Sequence, residues 1–377
     1  MNIIRKFILY SGLFSLLGMR ISLGSENGRE NKRAQMKINV SLYGKDVDSD
    51  SIQSRLAGTE IVSDFNYKFM EGLTANIAGG VTLEAGSSRF LFSNEYEPKQ
   101  VPELKEANLA WQPFNFLSLR GGALDQDSLN TPLLLRNQSF PGISETLNYP
   151  FDSFIIKFFS QQSFGADTQN SQPSLHWKKE ASMFFFDRLS LGYNSKNAIS
   201  ADFHLSHFLF RGLSALAASQ SRFLGNTVNG EGTSISGFGY AFHGYELGGS
   251  ISGILNPWLH PSIRASAVLN DGAPSGKNKG LRSEASWQFD LTENFRITPV
   301  AEYFYIQSDI APALFNDPAV GHTNYQGYGV GADLIFPKQA AHVSFRFYDA
   351  SVLTHNFYQS DMKWAQLLLS VNYDVLK

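Results

Sequence analysis

Apolar and polar residues alternate along much of the chain, most clearly between Leu281 and Gln307. From Leu281 to Phe289 every second residue is apolar or small, while the residues between them are mainly polar. A short polar turn follows, and the alternation resumes from Phe295 to Tyr305. A period of two is typical of a strand with unlike environments on its two faces. Each arm has about ten residues, the length that a tilted strand needs to cross a bilayer. The stretch therefore predicts a transmembrane β-hairpin.

The same pattern recurs from one end of the chain to the other, with short turns and longer connections in alternation. The predicted segments are 36–42, 65–69, 73–83, 105–112, 117–123, 151–164, 175–186, 188–196, 198–208, 212–223, 232–242, 245–255, 259–269, 281–290, 295–307, 325–335, 340–348 and 364–375. All segments together make 18 strands, and merging the ambiguous central ones makes 14 or 16. Single-chain bacterial barrels have even strand numbers, with short periplasmic turns and longer extracellular loops. We predict an all-β, antiparallel, up-and-down transmembrane barrel of about 16 strands, within a range of 14–18.

Composition narrows the class of protein. The 377 residues are 14% aromatic and only 17% charged, and beyond the first two dozen residues no run approaches the roughly 18 apolar residues of a membrane helix. The formal net charge of −3 offers no basic excess for a nucleic-acid partner. The absence of cysteine excludes disulfides, thiolate metal sites and cysteine nucleophiles.

The first residues have the order of a secretory signal. Arg5 and Lys6 precede the apolar run Phe7–Leu17, and small residues follow up to Gly24. We predict a signal peptide over 1–24 that is cleaved near Gly24; an uncleaved membrane anchor is the alternative. Residues 25–377 then form a single barrel domain, in which 25–34 is a flexible N-terminus.

The segment 125–148 interrupts the rhythm of strands and turns. Leu133, Leu134, Leu135, Phe140 and Ile143 are too apolar for a loop left wholly in water, and Pro132 and Pro141 argue against a central strand. We predict that this segment folds into the lumen and narrows it, which would place Arg136, Asn137, Gln138 and Glu145 at the constriction. The alternative is a loop folded over the rim or a contact between subunits.

Alternation also assigns charged residues to the inner wall. The predicted pore-lining or constriction residues are Arg120, Arg136, Glu145, Glu106, Arg282, Glu284, Arg296, Glu302 and Arg346. The wider set of inward-facing bases is Lys68, Arg120, Arg264, Arg282, Arg296 and Arg346, and the acids are Asp64, Glu84, Glu106, Glu284, Glu302, Asp333 and Asp374. Because the two signs nearly balance, we expect weak ion selectivity, set locally at the narrowest ring.

One arrangement invites a catalytic interpretation. Asp202, His204 and Ser206 occupy alternate positions of one predicted strand and share a face. A His-x-Ser pair on a barrel strand resembles outer-membrane phospholipase A, whose site faces the lipid. Here Ala201, Phe203 and Leu205 form the apolar face, so the three polar residues point into the lumen, where a polar lining explains them. We expect no catalytic residues, no cofactor and no metal.

A more particular resemblance covers one hairpin. Glu106–Phe114, followed by Phe116–Gly122, is similar to the strand–turn–strand of phosphate-selective-type porins of Gram-negative bacteria, and the rest of the chain resembles porins in architecture. The resemblance implies a bacterial outer-membrane channel for passive, weakly selective diffusion, with outer-membrane lipid and small hydrophilic solutes or ions as partners. It leaves a homotrimer open as the assembly. The alternatives are a barrel enzyme that acts on lipid and a plugged structural or adhesive barrel.

Overall fold

A computed structural model of the chain describes residues 33–90, 92, 96–136, 138–165, 181–195, 199–230 and 235–376. The predicted signal peptide lies outside the described residues, as does most of the predicted flexible N-terminus. No helix among the described residues is long and apolar enough to cross a membrane.

Sixteen antiparallel strands close into one barrel, which confirms the predicted fold class and strand number. The wall strands are β1 (Ala34–Ser49), β2 (Ile52–Met70), β3 (Leu73–Phe90), β4 (Gln100–Phe114), β5 (Leu117–Asp125), β6 (Ser139–Phe151), β7 (Phe154–Phe164), β8 (Met183–Asn194), β9 (Ile199–Arg211), β12 (Phe242–Gly253), β13 (Leu259–Asn270), β14 (Lys279–Thr292), β15 (Phe295–Ile306), β16 (Tyr325–Phe336), β17 (Ala341–Val352) and β18 (Met362–Leu376). Between β9 and β12 lie the helix α1 (Ala215–Phe223) and a hairpin of β10 (Val228–Asn229) and β11 (Gly237–Phe238).

The first and last strands close the cylinder. β1 pairs with β18 from Met36 opposite Leu376 to Ser49 opposite Met362, so every wall strand has two neighbours. A closed ring leaves no unpaired edge, which a barrel in lipid requires.

Alternation along each strand separates two surfaces. On β9, the even-numbered residues His204, Ser206 and Phe208 are buried in the lumen, while Phe203 and Leu205 are more than half exposed on the outer wall. Aromatic side chains gather at the short-turn end, with ring pairs Phe154–Tyr193, Trp258–Phe289 and Phe295–Phe336 at centroid distances of 4.9, 6.1 and 5.3 Å. Such a girdle is typical of a membrane interface.

Several predicted segments are wrong although the total is right. Residues 212–223 contain α1, and the described residues of 232–242, which are 235–242, contain only the short strand β11 and the first residue of β12. The predicted segments 175–186 and 188–196 meet in the single strand β8, while 175–180 and 196 lie outside the described residues. Most of the connection left between the predicted segments 36–42 and 65–69 is strand, and β3 continues beyond the predicted segment 73–83 to Phe90, because β1, β2 and β3 each have 16 residues or more.

Candidate functional site

Two connecting segments occupy the lumen, one over 126–138 between β5 and β6, described except for residue 137, the other over 307–324 between β15 and β16. Leu133, Leu134 and Leu135 of the first segment are at most 1% exposed, and Phe315 of the second is fully buried. The Phe315 ring lies 5.6 Å from that of Phe140 and 5.9 Å from that of Phe210, both of which project inward from the wall. Apolar burial therefore attaches both segments to the inner wall.

Backbone hydrogen bonds join the two segments to each other. The Arg136 amide donates to the Phe315 carbonyl at 2.9 Å, and the Asp317 amide donates to the Pro132 carbonyl at 3.0 Å. The Gln138 side chain adds a bond to the Leu314 carbonyl at 3.2 Å. The two segments thus form one body inside the barrel, which we call the lumen plug (126–138 with 307–324).

A buried charge cluster ties the lumen plug to the wall. The Asp317 carboxylate contacts the Arg136 guanidinium and accepts a hydrogen bond from Arg282 Nη1 of β14 at 2.6 Å. Arg282 Nε lies 2.6 Å from Glu302 Oε1, and the Tyr348 hydroxyl donates to Glu302 at 3.3 Å. Burial disfavours the charged form of Asp317, yet the Arg136 and Arg282 cations outweigh it and hold the pKa of this carboxyl below its ordinary value.

A second attachment involves β8. Arg188 Nη1 donates to the Leu129 carbonyl of the lumen plug at 2.5 Å, and its Nη2 bonds Glu246 of β12 at 2.9 Å. Nearby, Gln161 of β7 donates to the Gln126 side chain at 2.9 Å. Glu246 is fully buried, so its pairing with Arg188 compensates for the loss of water around both charges.

A cavity of about 500 Å³ remains between the lumen plug and the wall. Besides His204 and Tyr348, its ionisable lining contains four bases and four acids, namely Arg136, Arg264, Arg282, Arg346, Asp127, Asp202, Glu284 and Glu302. Its charges therefore balance, and a polar lining of mixed sign suits small hydrated solutes better than apolar ones.

The predicted pore-lining residues divide by position. Those that line the cavity are Arg136, Arg282, Glu284, Glu302 and Arg346. Arg120 and Glu106 face each other on the inner wall of β5 and β4, with 3.9 Å between Arg120 Nη1 and Glu106 Oε1. Arg296 lies near the short turn that joins β14 and β15, where its Nε is 3.4 Å from Asp290 Oδ1. These three residues contribute nothing to the cavity lining.

Glu145 lies outside the lumen. The predicted inward-folded segment ends at Gln138, because Ser139–Phe151 is the wall strand β6. On this strand Phe140 and Ser144 are buried in the lumen, whereas Ile143 is 62% exposed and Glu145 shares its outward face. Pro141 is accommodated in β6 and does not exclude a strand. Asn137 lies outside the described residues.

Asp317, Arg188 and Glu246 are site residues absent from the sequence prediction. The segment 307–324 carries Ile310, Leu314, Phe315 and Val320, the same excess of apolar residues in a long connection that identified 125–148. That signal could have located Asp317. Arg188 and Glu246 lie on inward faces that alternation assigns once the strand boundaries are correct.

The Asp202, His204 and Ser206 arrangement faces the lumen, as predicted. The Ser206 hydroxyl donates to Glu246 at 3.2 Å and accepts from Arg188 Nε at 2.9 Å. His204 Nδ1 lies 3.6 Å from Asp202, and its Nε2 lies 3.8 Å from Glu246. Among the described residues, the hydrogen bonds of the Ser206 side chain are thus with Arg188 and Glu246 and not with His204.

No protein-family model matches the chain, and no curated protein sequence matches it. Among solved structures, OprB of Pseudomonas putida matches with a TM-score of 0.56 and 10% identity, over 90% of this chain and 94% of that one. A loop L8 deletion mutant of OmpT, an outer membrane protein of Vibrio cholerae, matches with a TM-score of 0.50 and 11% identity, over 90% of this chain and 99% of the other. At this level of identity the two similarities establish the fold alone: this chain has the same barrel fold as those two proteins.

Proposed function

We propose that this protein is an outer-membrane channel for the passive, weakly selective diffusion of small hydrophilic solutes. The observation that carries the proposal is the cavity of about 500 Å³ in the barrel lumen, lined by equal numbers of acidic and basic side chains. The apolar outer wall and the aromatic girdle support a position in lipid. OprB and OmpT support it as barrels of the same fold.

Phosphate selectivity is not part of the proposal, although four arginines line the cavity. Arg136 and Arg282 share Asp317, and Arg346 Nη2 lies 2.8 Å from Asp333. Arg264 stands opposite Glu284 in the β13–β14 ladder. Since each guanidinium has a carboxylate beside or opposite it, the arginines do not form an uncompensated anion site.

Single-channel recording in planar bilayers tests the proposal. The purified protein is expected to give stable conductance with an anion–cation permeability ratio within about tenfold, which corresponds to roughly 1.4 kcal/mol. Replacing 129–136 by two glycines is expected to raise the conductance, since it removes the buried leucines that fill the lumen. Arg296→Gln is the control, because that residue lies outside the cavity lining and should leave both the conductance and the permeability ratio unchanged.

A plugged structural or adhesive barrel is the second candidate function. The fully buried residues Leu133, Leu134, Phe304, Ile310 and Phe315 favour it, because they form an apolar core inside the lumen. The absence of conductance in both the native protein and the shortened variant, with both shown to be folded barrels, would support this function and contradict a channel. The hydrogen bonds of Ser206 to Glu246 and Arg188 give no comparable support to an outer-membrane enzyme that acts on lipid.

A further inference from the structure

A row of polar side chains crosses the outer wall of the barrel on four neighbouring strands. Glu145 of β6 is paired in register with Ser160 of β7, Ser160 with Asp187 of β8, and Asp187 with His207 of β9. Residues paired in an antiparallel ladder share a face, and Leu205 and Ile143 place that face outside. We call these four residues the outer polar row.

The outer polar row lies within an apolar surface. On their own strands, Glu145 stands between Ile143 and Leu147, Asp187 between Phe185 and Leu189, and His207 between Leu205 and Leu209. Glu145 is six residues from either end of β6, and Ser160, Asp187 and His207 are each four residues from the loop-side end of their strand. Other outward charges, such as Asp46, Arg55, Asp349 and Lys363, lie within three residues of the loop-side ends of their strands.

Contacts within the chain account for only part of this row. Ser160 Oγ donates to Asp187 Oδ1 at 2.7 Å, and the His207 ring lies 5.5 Å from the Tyr245 ring of β12. Among the described residues, none is recorded in a hydrogen bond or ion pair with the Glu145 carboxylate. Carboxylates on the lipid face are costly, because acyl chains offer no hydrogen-bond donor.

From this row we infer that the outer face of β6–β9 is the surface at which two copies of this chain meet. The inference rests on the proposed membrane location. A second barrel in the same bilayer brings its own row to the same depth. The row contains carboxylate acceptors at Glu145 and Asp187 and an imidazole donor at His207, while the Ser160 hydroxyl already donates to Asp187 of its own chain. Two such rows, related by an axis normal to the membrane, complement each other in hydrogen bonding.

Other occupants fit the charges less well. Phosphate headgroups are anionic, as are Glu145 and Asp187, and they lie at the membrane surface, whereas Glu145 lies at mid-strand. Acyl chains match the flanking leucines but leave both carboxylates without a partner. A second copy supplies polar groups at the required depth and apolar groups on either side of them.

Disulfide cross-linking provides the test, because the chain has no cysteine of its own. Ser160→Cys, oxidised in native membranes, is expected to give a band of twice the monomer mass. Ser63→Cys on β2 and Ser283→Cys on β14 are matched controls: both serines face outward at similar exposure, five strands away in either direction. Both should remain monomeric. Gln162→Cys, outward on β7, serves as a second position if Ser160→Cys does not fold.

A second variant tests the polar groups themselves. In the Ser160→Cys background, Asp187→Leu is expected to lower the cross-linked fraction severalfold, because it removes an acceptor from each facing row. Folded monomers at both cysteine positions, equal cross-linking at the control serines, or an unchanged yield with Asp187→Leu would overturn the inference, as would a cross-link to a different protein. Conductance measured on the same samples separates this inference from the proposed channel, since either can fail while the other holds.

Discussion

Asp317 supplies a negative charge between two arginines at the contact of the lumen plug with the wall. Its carboxylate is shared by Arg136 and Arg282, and only 1% of its side chain is exposed. Asp317→Asn leaves one positive charge uncompensated beside the cavity. We expect selectivity to shift toward anions by up to roughly fivefold, or about 1 kcal/mol for a unit charge near 4 Å in a water-like medium. Reversal potentials in a salt gradient measure the shift.

Asp290→Asn is the control for that change. Asp290 also faces the lumen and pairs with an arginine, with 3.4 Å to Arg296 Nε, but it lies by the short turn and outside the cavity lining. Its neutralisation should leave the reversal potential nearly unchanged. An equal shift in both variants would mean that selectivity is set along the whole lumen and not at the plug.

The pH dependence of the same contact has a definite sign. Because the pKa of Asp317 is held below its ordinary value of 3.8, its contribution to plug attachment is complete above that value. It is lost only as the pH falls through the lower pKa of the folded state. Conductance recorded from neutral pH down to about pH 5 should show no plug-opening transition due to Asp317. A transition within that range that disappears in Asp317→Asn would contradict this assignment.

Alternation predicts the face of a single residue only when its strand is recognised. Arg282, Glu284, Glu302 and Arg346 belong to strands with clear periodicity, and all four line the cavity. Glu145 belongs to β6, in which Pro141 and Pro150 are typical of a loop and not of a strand. Its outward position could therefore not be predicted from the alternation. The ion pairs of Asp317 join residues far apart in the chain, and no local pattern specifies them.

At the scale of elements, two kinds of error offset each other in the strand count. The predicted set includes two segments, 212–223 and 232–242, whose described residues form no complete wall strand, and it divides β8 into two. In the other direction, it lacks β6. The helix α1 could not be distinguished from a strand, because nine residues are too few to separate the apolar periodicity of a helix from that of a strand. The sequence therefore predicts the fold class more reliably than the boundaries of the individual strands.

The lumen plug depends on its leucines, which predicts a measurable stability difference. Leu134 is fully buried between the plug and the inner wall, so Leu134→Ala is expected to lower the free energy of unfolding by about 2–5 kcal/mol. Leu247→Ala is the matched control, since Leu247 is 62% exposed on the outer wall. Urea unfolding in lipid vesicles measures both. Equal losses would show that burial of Leu134 in the lumen contributes no more than burial in lipid.

At the scale of the whole molecule, strand pairing forms the barrel wall, whereas apolar burial and ion pairs attach the lumen plug inside it. Strand pairing runs in sequence order around the wall except where β12 follows β9, so local hairpins explain most of the architecture. One pairing is not local: β1 with β18 joins residues more than 300 positions apart. This pairing converts an open sheet, which lipid would not tolerate, into a closed one.

Closure should therefore be the step most sensitive to a backbone lesion in β18. Leu369 faces outward and pairs with Val343 on one side and Leu42 on the other, so Leu369→Pro removes an amide from a strand that must satisfy two neighbours. We expect most of this variant to lose the compact migration of an unheated folded barrel on SDS gels. His355→Pro is the control, because His355 is exposed in the connection between β17 and β18. If Leu369→Pro still migrated as a folded barrel, closure would tolerate a missing ladder bond, and the β1–β18 seam would be less critical than its position implies.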